Sequence, residues 1–157
     1  MTDKVVVDSS VAIKWFVVEP YAVEAHRILE EYQTGTVTLL APDLLYAEVG
    51  NIVWKKHRFQ GLAAEDAEAI LAAFRVVPFV VTSNAVLLEA AYRLAVTHQR
   101  TVYDALYLAL SLREQCPWVT ADEKIVNALA TTFPHVIWVA NWPQRATSPN
   151  QGLEPTR

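Results

Sequence analysis

Short β-branched runs alternate with longer helical patterns along this chain. The runs that we interpret as strands cover residues 4–7, 37–41, 76–82, 117–120 and 136–139. Between them, apolar residues recur at helical spacing. Strands that alternate with helices favour an α/β fold with a mostly parallel central sheet flanked by helices. We therefore predict a single α/β domain of this architecture.

Caps and chain breakers mark the predicted helices. These helices cover residues 11–16, 21–33, 43–57, 63–75, 84–97, 101–115 and 122–132. The helix at 101–115 is apolar on nearly all sides, so we expect it to be buried. Pro78 interrupts the third strand, which predicts an edge or irregular strand there.

Composition favours one packed domain followed by a tail. The 157 residues are 53% hydrophobic and 19% charged, which is typical of a chain with a core. After Trp142 the sequence turns to Ser, Pro, Asn, Gln and Gly. We expect the domain to span residues 1–142 and a loose tail to span 143–157.

Cysteine content and charge indicate where such a chain works. The single cysteine, Cys116, cannot form an internal disulfide, which suits a reducing compartment. We see neither a signal-peptide pattern nor an apolar run of ~20 residues that could span a membrane, so we expect a cytoplasmic protein without a membrane partner. The net charge of −4 gives no general attraction for nucleic acid, so RNA binding would need local basic residues or bound cations.

Two acids follow predicted strands. Asp8 comes directly after the first strand, and Asp122 follows the fourth strand with one residue between. Ligands of open parallel sheets bind just beyond the carboxyl ends of the strands, so both positions suit a site. Taken singly, either acid could equally be the N-cap of the helix that follows it.

Two further acids occur in apolar helices. Glu48 has apolar neighbours at helical spacing, and a buried carboxylate needs a cation, a metal or a proton. The alternative for Glu48 is an ion pair with Lys55 or Lys56. Asp104 lies in the most apolar helix, where the alternative is a first-turn acid favoured by the helix dipole, with Thr101 as N-cap.

Together these four acids predict a metal site. We name Asp8, Glu48, Asp104 and Asp122 the acidic quartet. Oxygen-rich acidic clusters suit hard divalent cations such as Mg²⁺ or Mn²⁺, whereas the four histidines are scattered and show no ligand spacing. Such a cluster fits metal-assisted hydrolysis of phosphodiester bonds. Polar side chains near the acids in sequence could orient the carboxylates or a water molecule by hydrogen bonds, although capping and turn roles are as good an interpretation. They are Ser9, Ser10, Asn51 and Thr120.

Four segments around these acids resemble the motifs of the PIN domain family, and within it the VapC-type toxins of bacterial toxin–antitoxin pairs. The segments are residues 6–11, 41–51, 101–109 and 119–124, and the resemblance extends over about 4–142. It implies a Mg²⁺- or Mn²⁺-dependent endoribonuclease with the acidic quartet as its catalytic and metal-binding residues. It also implies a homodimer and a cognate antitoxin protein that blocks the site. Glu123 adjoins Asp122 and is the alternative fourth acid.

Two other functions remain open at this point. One is a phosphotransferase with Asp8 as nucleophile, resembling haloacid-dehalogenase-type phosphatases, although Ser10 departs from their Asp-x-Asp motif. The other is a catalytically inactive PIN-like module that binds RNA or protein. We also expect residues 11–16 and 44–54 to contribute to a groove for an antitoxin helix, with core packing as the alternative. RNA contacts are expected from basic residues such as Lys14, Lys55, Lys56 and Arg58.

Overall fold

The structure is a computed structural model that describes residues 2–143. Its sheet has five strands: β1 (Asp3–Val7), β2 (Val37–Pro42), β3 (Val80–Thr82), β4 (Trp118–Thr120) and β5 (Val136–Trp138). All neighbouring strands pair in parallel, in the order β3-β2-β1-β4-β5. The predicted α/β fold is thus confirmed. The predicted tail, residues 143–157, lies outside the described residues except for Pro143.

Seven α-helices connect these strands within residues 2–143. They are α1 (Ser9–Ala12), α2 (Ala22–Gln33), α3 (Leu44–Phe59), α4 (Ala64–Arg75), α5 (Asn84–His98), α6 (Val102–Glu114) and α7 (Glu123–Leu129). A 3-10 turn, Ile13–Trp15, extends α1. No helix in the described part of the chain is both long and apolar enough to cross a membrane.

The third strand is shorter than predicted. It begins at Val80 rather than at residue 76, because Val76 caps the end of α4 and Pro78 occupies the turn that follows. Its predicted position at an edge is confirmed, since β3 pairs only with β2 in the sheet described here. Helix α7 also ends three residues before the predicted boundary, at Leu129.

The sheet separates two apolar layers. Val5 and Val7 of β1 contact the layer that contains α1 to α4, whereas Val6 contacts the layer of α5, α6 and α7. This alternation follows from the two-residue period of a strand. Seven consecutive residues of α6, from Ala105 to Ser111, are buried, which confirms the predicted buried helix.

The order of the strands places a crevice beside β1. The chain moves from β1 to β2 on one side, whereas β4 joins β1 on the other side. Where the connections that follow two neighbouring strands run in opposite directions, a crevice opens at the carboxyl ends of these strands. Ligands of open α/β sheets bind in this crevice. Asp8 and Asp122 follow these two strands.

Candidate active site

Asp8 is held rigidly at the end of β1. Its Oδ1 accepts hydrogen bonds from the Ser10 backbone at 3.1 Å, the Ser10 hydroxyl at 2.5 Å and the Val11 backbone at 3.3 Å. Its Oδ2 accepts from the Trp118 indole N–H at 3.1 Å. The side chain therefore caps α1, as the alternative interpretation proposed, and is only 4% exposed. Burial raises the pKa of Asp8, and its hydrogen bonds oppose that rise.

Glu48 of α3 is half-buried and faces two other acids. Burial is the main cause that raises the pKa of Glu48, and the negative charges of Asp8 and Asp104 raise it further. The Tyr107 hydroxyl donates a 2.5 Å hydrogen bond to Glu48 Oε1, which partly offsets this effect. A carboxylate in such surroundings is stabilised by any cation that can reach it.

Neither Lys55 nor Lys56 forms an ion pair with Glu48 among the residues that the structure describes. Lys56 lies 3.7 Å from Glu19 rather than beside Glu48. Tyr107 instead reaches Glu48 from α6, and its ring stacks on Trp118 with centroids 5.7 Å apart. This aromatic pair supports two carboxylates at once, because Trp118 binds Asp8 and Tyr107 binds Glu48.

Asp104 lies in the first turn of α6. Thr101 is the N-cap, since its hydroxyl accepts from the Asp104 backbone N–H at 3.1 Å. Asp104 is therefore a first-turn acid with Thr101 as N-cap, as the alternative interpretation expected. The carboxylate has a partner that sequence reasoning missed: Arg100 Nη2 lies 3.3 Å from Asp104 Oδ2. The acid is half-buried and open to the crevice.

Asp122 is the N-cap of α7. Its Oδ1 accepts from the Lys124 backbone N–H at 2.9 Å, and its own N–H donates to the Thr120 hydroxyl at 3.1 Å. The capping interpretation is thus geometrically right, yet the same side chain also reaches the crevice. Glu123 is exposed and does not line that crevice.

The four predicted acids converge on one cavity. It has a volume of about 70 Å³ and is lined by the acidic quartet together with Ser9, Ser10, Tyr107 and Ile125. A space of this size holds an ion or a few water molecules. A nucleotide is too large to enter, so a polymeric substrate would have to lie across the opening.

The donor chemistry of this cavity fits a hard divalent cation. The charged groups that line it are carboxylates, which Mg²⁺ and Mn²⁺ prefer as ligands. Within residues 2–143, no three Asp, Glu, His or Cys side chains form a group close enough to hold an ion as they stand. Each acid instead has a partner within the protein: an indole, a phenol, a guanidinium or a backbone N–H. Cation binding would require some of these contacts to be exchanged.

The polar residues that were expected to orient the carboxylates differ in position. Ser9 lines the cavity, and buried Thr120 fixes the backbone of Asp122. Asn51 is exposed, does not line the cavity and makes no hydrogen bond to the quartet among the residues that the structure describes. Sequence reasoning missed Tyr107, whose spacing of three from Asp104 places both on one face of α6 and could have revealed it.

Known proteins resemble the chain in sequence and in fold. The PIN domain profile matches residues 5–129. Ribonuclease VapC3 of Pyrobaculum aerophilum is 34% identical over 139 residues, which are 85% of this chain and 98% of the relative. The crystal structure of PAE2754 from Pyrobaculum aerophilum has a TM-score of 0.65 at 25% identity, covering 88% of this chain and 85% of that one.

Two further structures share the fold. A toxin–antitoxin complex from Klebsiella pneumoniae has a TM-score of 0.60 at 17% identity, covering 85% of this chain and 95% of that one. Mycobacterium tuberculosis VapC20, described as a toxin that cleaves the sarcin-ricin loop, has a TM-score of 0.58 at 17% identity. The match covers 80% of this chain and 95% of that one. At this identity the likeness shows the fold alone.

Proposed function

This chain belongs to the PIN domain family, and on that basis we propose that it is a Mg²⁺- or Mn²⁺-dependent endoribonuclease, the toxin of a type II toxin–antitoxin pair. The observation that carries this proposal is the convergence of Asp8, Glu48, Asp104 and Asp122 on one cavity. The ribonuclease name of the relative from Pyrobaculum aerophilum supports it. The phosphotransferase alternative loses its basis, because the chain's family is the PIN domain.

In this mechanism the acidic quartet would hold the cation. The chemistry supplied by such an ion is the activation of water for attack on phosphorus and the neutralisation of charge on the phosphate. Asp8 is fixed by its hydrogen bonds and gives the site a rigid ligand at the end of β1. Glu48 is bound by the side chains of Tyr107 and Ser9, and Asp104 by that of Arg100, and these side-chain contacts can be exchanged for a cation.

The shape of the site favours a single-stranded substrate. The cavity of about 70 Å³ admits a phosphate oxygen or a water molecule but excludes a base. The backbone of an RNA chain would therefore cross the opening and present one phosphate to the acids. Unpaired RNA bends more readily into such an approach than a regular duplex does.

The test is cleavage of single-stranded RNA with Mg²⁺ or Mn²⁺, and with EDTA. We expect Asp104→Asn to lower the cleavage rate by roughly a hundredfold or more, as loss of an essential charge at an active site does. The matched control is Asp66→Asn, which neutralises an exposed acid in α4 away from the cavity. Full activity in EDTA would contradict the metal mechanism. Metal-supplemented protein that binds RNA without cleaving it would instead favour the inactive PIN-like module.

We further propose that the antitoxin binds an apolar groove beside α4. This groove has a volume of about 510 Å³ and is lined mainly by Phe16, Val17, Val18, Leu62, Ala69 and Ile70. Most of residues 11–16 are core residues rather than groove residues, because residues 11–15 are at most 9% exposed. Trp54 is 53% exposed, so it is not a core residue, but neither it nor any other residue of 44–54 lines this groove. Co-expression with the neighbouring antitoxin gene should yield a stable complex that Ile70→Glu disrupts.

We also propose a homodimer that works in the cytoplasm. Leu88, Tyr92 and Val96 form an exposed apolar stripe along α5, at spacings of four residues. A single buried thiol, Cys116, is compatible with a reducing compartment. Analytical ultracentrifugation should show a dimer that Tyr92→Glu converts to monomer. A monomeric wild-type protein would contradict the dimer and leave the nuclease proposal intact.

A further inference from the structure

Arg100 is an incompletely satisfied cation at the edge of the acidic quartet. Its only hydrogen bond or ion pair from the side chain, among residues 2–143, is the 3.3 Å contact between Nη2 and Asp104 Oδ2. Its Nε is buried and has no hydrogen-bond partner within those residues. A guanidinium carries five N–H donors, and a buried donor without an acceptor costs free energy. This side chain therefore has unused capacity to bind an oxyanion.

The backbone of Arg100 is well fixed, whereas its ion pair is weak. Gln99 ends α5 in the left-handed conformation with φ of 54°, and the Arg100 N–H donates to Ala95 O at 3.1 Å. The side chains of Arg100 and Asp104 are 27% and 26% exposed. Ion pairs near the surface stabilise a protein little, so exchanging this one for another partner is inexpensive.

Three other cations, Lys14, Lys56 and Lys4, pair with acids outside the quartet. Lys14 and Lys56, which we expected to contact RNA, both lie within 4.0 Å of Glu19. Lys4 pairs with Glu114 at the start of β1, whereas the quartet lies beyond the carboxyl end of that strand. Among the residues that the structure describes, no Lys or Arg other than Arg100 forms an ion pair with the quartet.

An RNA phosphate needs such a cation. The cavity is lined by four carboxylates in a protein of net charge −4, so an approaching phosphate is repelled. The planar fork of an arginine binds two phosphate oxygens at once, which orients the phosphate as well as attracting it. We propose that Arg100 exchanges Asp104 for a backbone phosphate of the bound RNA and positions that strand at the acidic quartet.

This exchange serves two purposes at once. Release of Arg100 frees Asp104 Oδ2 for the cation that the site takes, and the guanidinium gains acceptors for Nε and Nη2. Arg100 is thus a substrate-binding residue, and its assignment rests on the proposed ribonuclease function. Its effect is on RNA binding, which can be measured without cleavage.

The experiment measures binding of a fluorescein-labelled single-stranded oligoribonucleotide by fluorescence anisotropy. The parent protein carries Asp8→Asn to prevent cleavage, and Mn²⁺ is present throughout. Arg100→Gln is compared with Arg113→Gln, which removes the same charge from the last turn of α6, at the end opposite Asp104. We expect Arg100→Gln to weaken binding roughly tenfold and to lower the slope of log Kd against log salt by about 0.7, the value for one phosphate contact on a single strand. Arg113→Gln should leave both quantities near those of the parent.

A third variant separates geometry from charge. Arg100→Lys keeps the charge and loses the fork, so we expect a salt slope like that of the parent with an intermediate affinity. Circular dichroism of each variant establishes that it is folded, and Arg100→Lys keeps the test valid where Arg100→Gln fails to fold. Parent-like affinity and slope in Arg100→Gln, with normal RNA binding by the parent, would overturn the Arg100 assignment alone. Absence of RNA binding and cleavage in the wild-type chain would overturn the proposed function, and the assignment with it.

Discussion

Trp118 donates its indole N–H to Asp8 Oδ2 at 3.1 Å, across a separation of 110 residues in the sequence. Both residues are buried, and the bond fixes the carboxylate oxygen that Ser10 and Val11 leave free. The orientation of Asp8 therefore depends on the neighbouring strand as well as on its own helix cap.

Replacing Trp118 with Phe should impair catalysis beyond its effect on stability. The smaller ring can still stack on Tyr107, whereas the hydrogen bond to Asp8 is lost. We expect kcat for RNA cleavage to fall roughly tenfold and stability to fall by about 1–3 kcal/mol. The matched control is Trp142→Phe, which removes a 3.2 Å indole bond to Glu31 away from the cavity. Equal losses of kcat in the two variants would show that Trp118 acts only through packing.

Glu48→Gln should stabilise the protein in EDTA, and more so as the pH rises. Burial and the charges of Asp8 and Asp104 raise the pKa of Glu48, so protons bind more tightly to the folded state. A raised carboxyl pKa favours folding at low pH, and this contribution is lost as the pH rises through the folded value. The advantage of Glu48→Gln over wild type should thus be small near about pH 4 and should grow toward about pH 7.

Thermal melts of the two proteins across this range give the measurement. The pKa of His135 is lowered by burial, and its own contribution to stability rises with pH, but it cancels when the variant is compared with wild type. Asp66→Asn serves again as a neutralised acid outside the cavity. A constant difference in Tm between Glu48→Gln and wild type at every pH would refute this explanation.

Asp122 and Glu123 can be separated by paired variants. Asp122 lines the cavity and Glu123 does not, so Asp122→Asn should lower RNA cleavage at least about tenfold, whereas Glu123→Gln should leave it near wild type. Asparagine caps helices about as well as aspartate, so Asp122→Asn should change stability in EDTA by less than about 0.5 kcal/mol. If Glu123→Gln lowers cleavage and Asp122→Asn does not, Glu123 is the fourth acid and Asp122 is only a helix cap.

Cys116 should react slowly with alkylating reagents in the folded protein. Its side chain is 7% exposed, and burial raises the pKa of its thiol to about 11, so little thiolate forms near neutral pH. We expect modification by iodoacetamide to be at least about tenfold slower in native protein than in urea at pH 8. Mass spectrometry of timed samples gives both rates, and comparable rates would show that the thiol is accessible.

Local patterns were sufficient to predict most of the fold. The β-branched residues of β1 and the apolar faces of α6 allow few other arrangements, and Thr101 caps the helix that it was expected to begin. The third strand was predicted too long because Val76 and Val77 have strand propensity but follow α4 directly, where chain connection rather than propensity decides.

The supporting residues of the site were harder to predict than its acids. Carboxylates after strands and inside apolar helices stand out because they are costly to bury. Arg100 and Trp118 do not stand out, since an arginine between helices and a tryptophan in a strand have ordinary explanations. Their contacts with Asp104 and Asp8 depend on how separate elements pack, which a single sequence does not encode locally.

The pairing of β1 with β4 also sets the order in which this site can assemble. Val6 and Val7 align with Trp118 and Val119, so the ladder closes a loop of more than a hundred residues. A growing chain that has emerged from the ribosome only as far as α5 carries Asp8 and Glu48 but neither Asp104 nor Asp122. Long-range pairings of this kind form late and slowly. The acids therefore come together only after nearly all of the sheet has been synthesised, which delays catalytic competence until translation of this domain is almost finished.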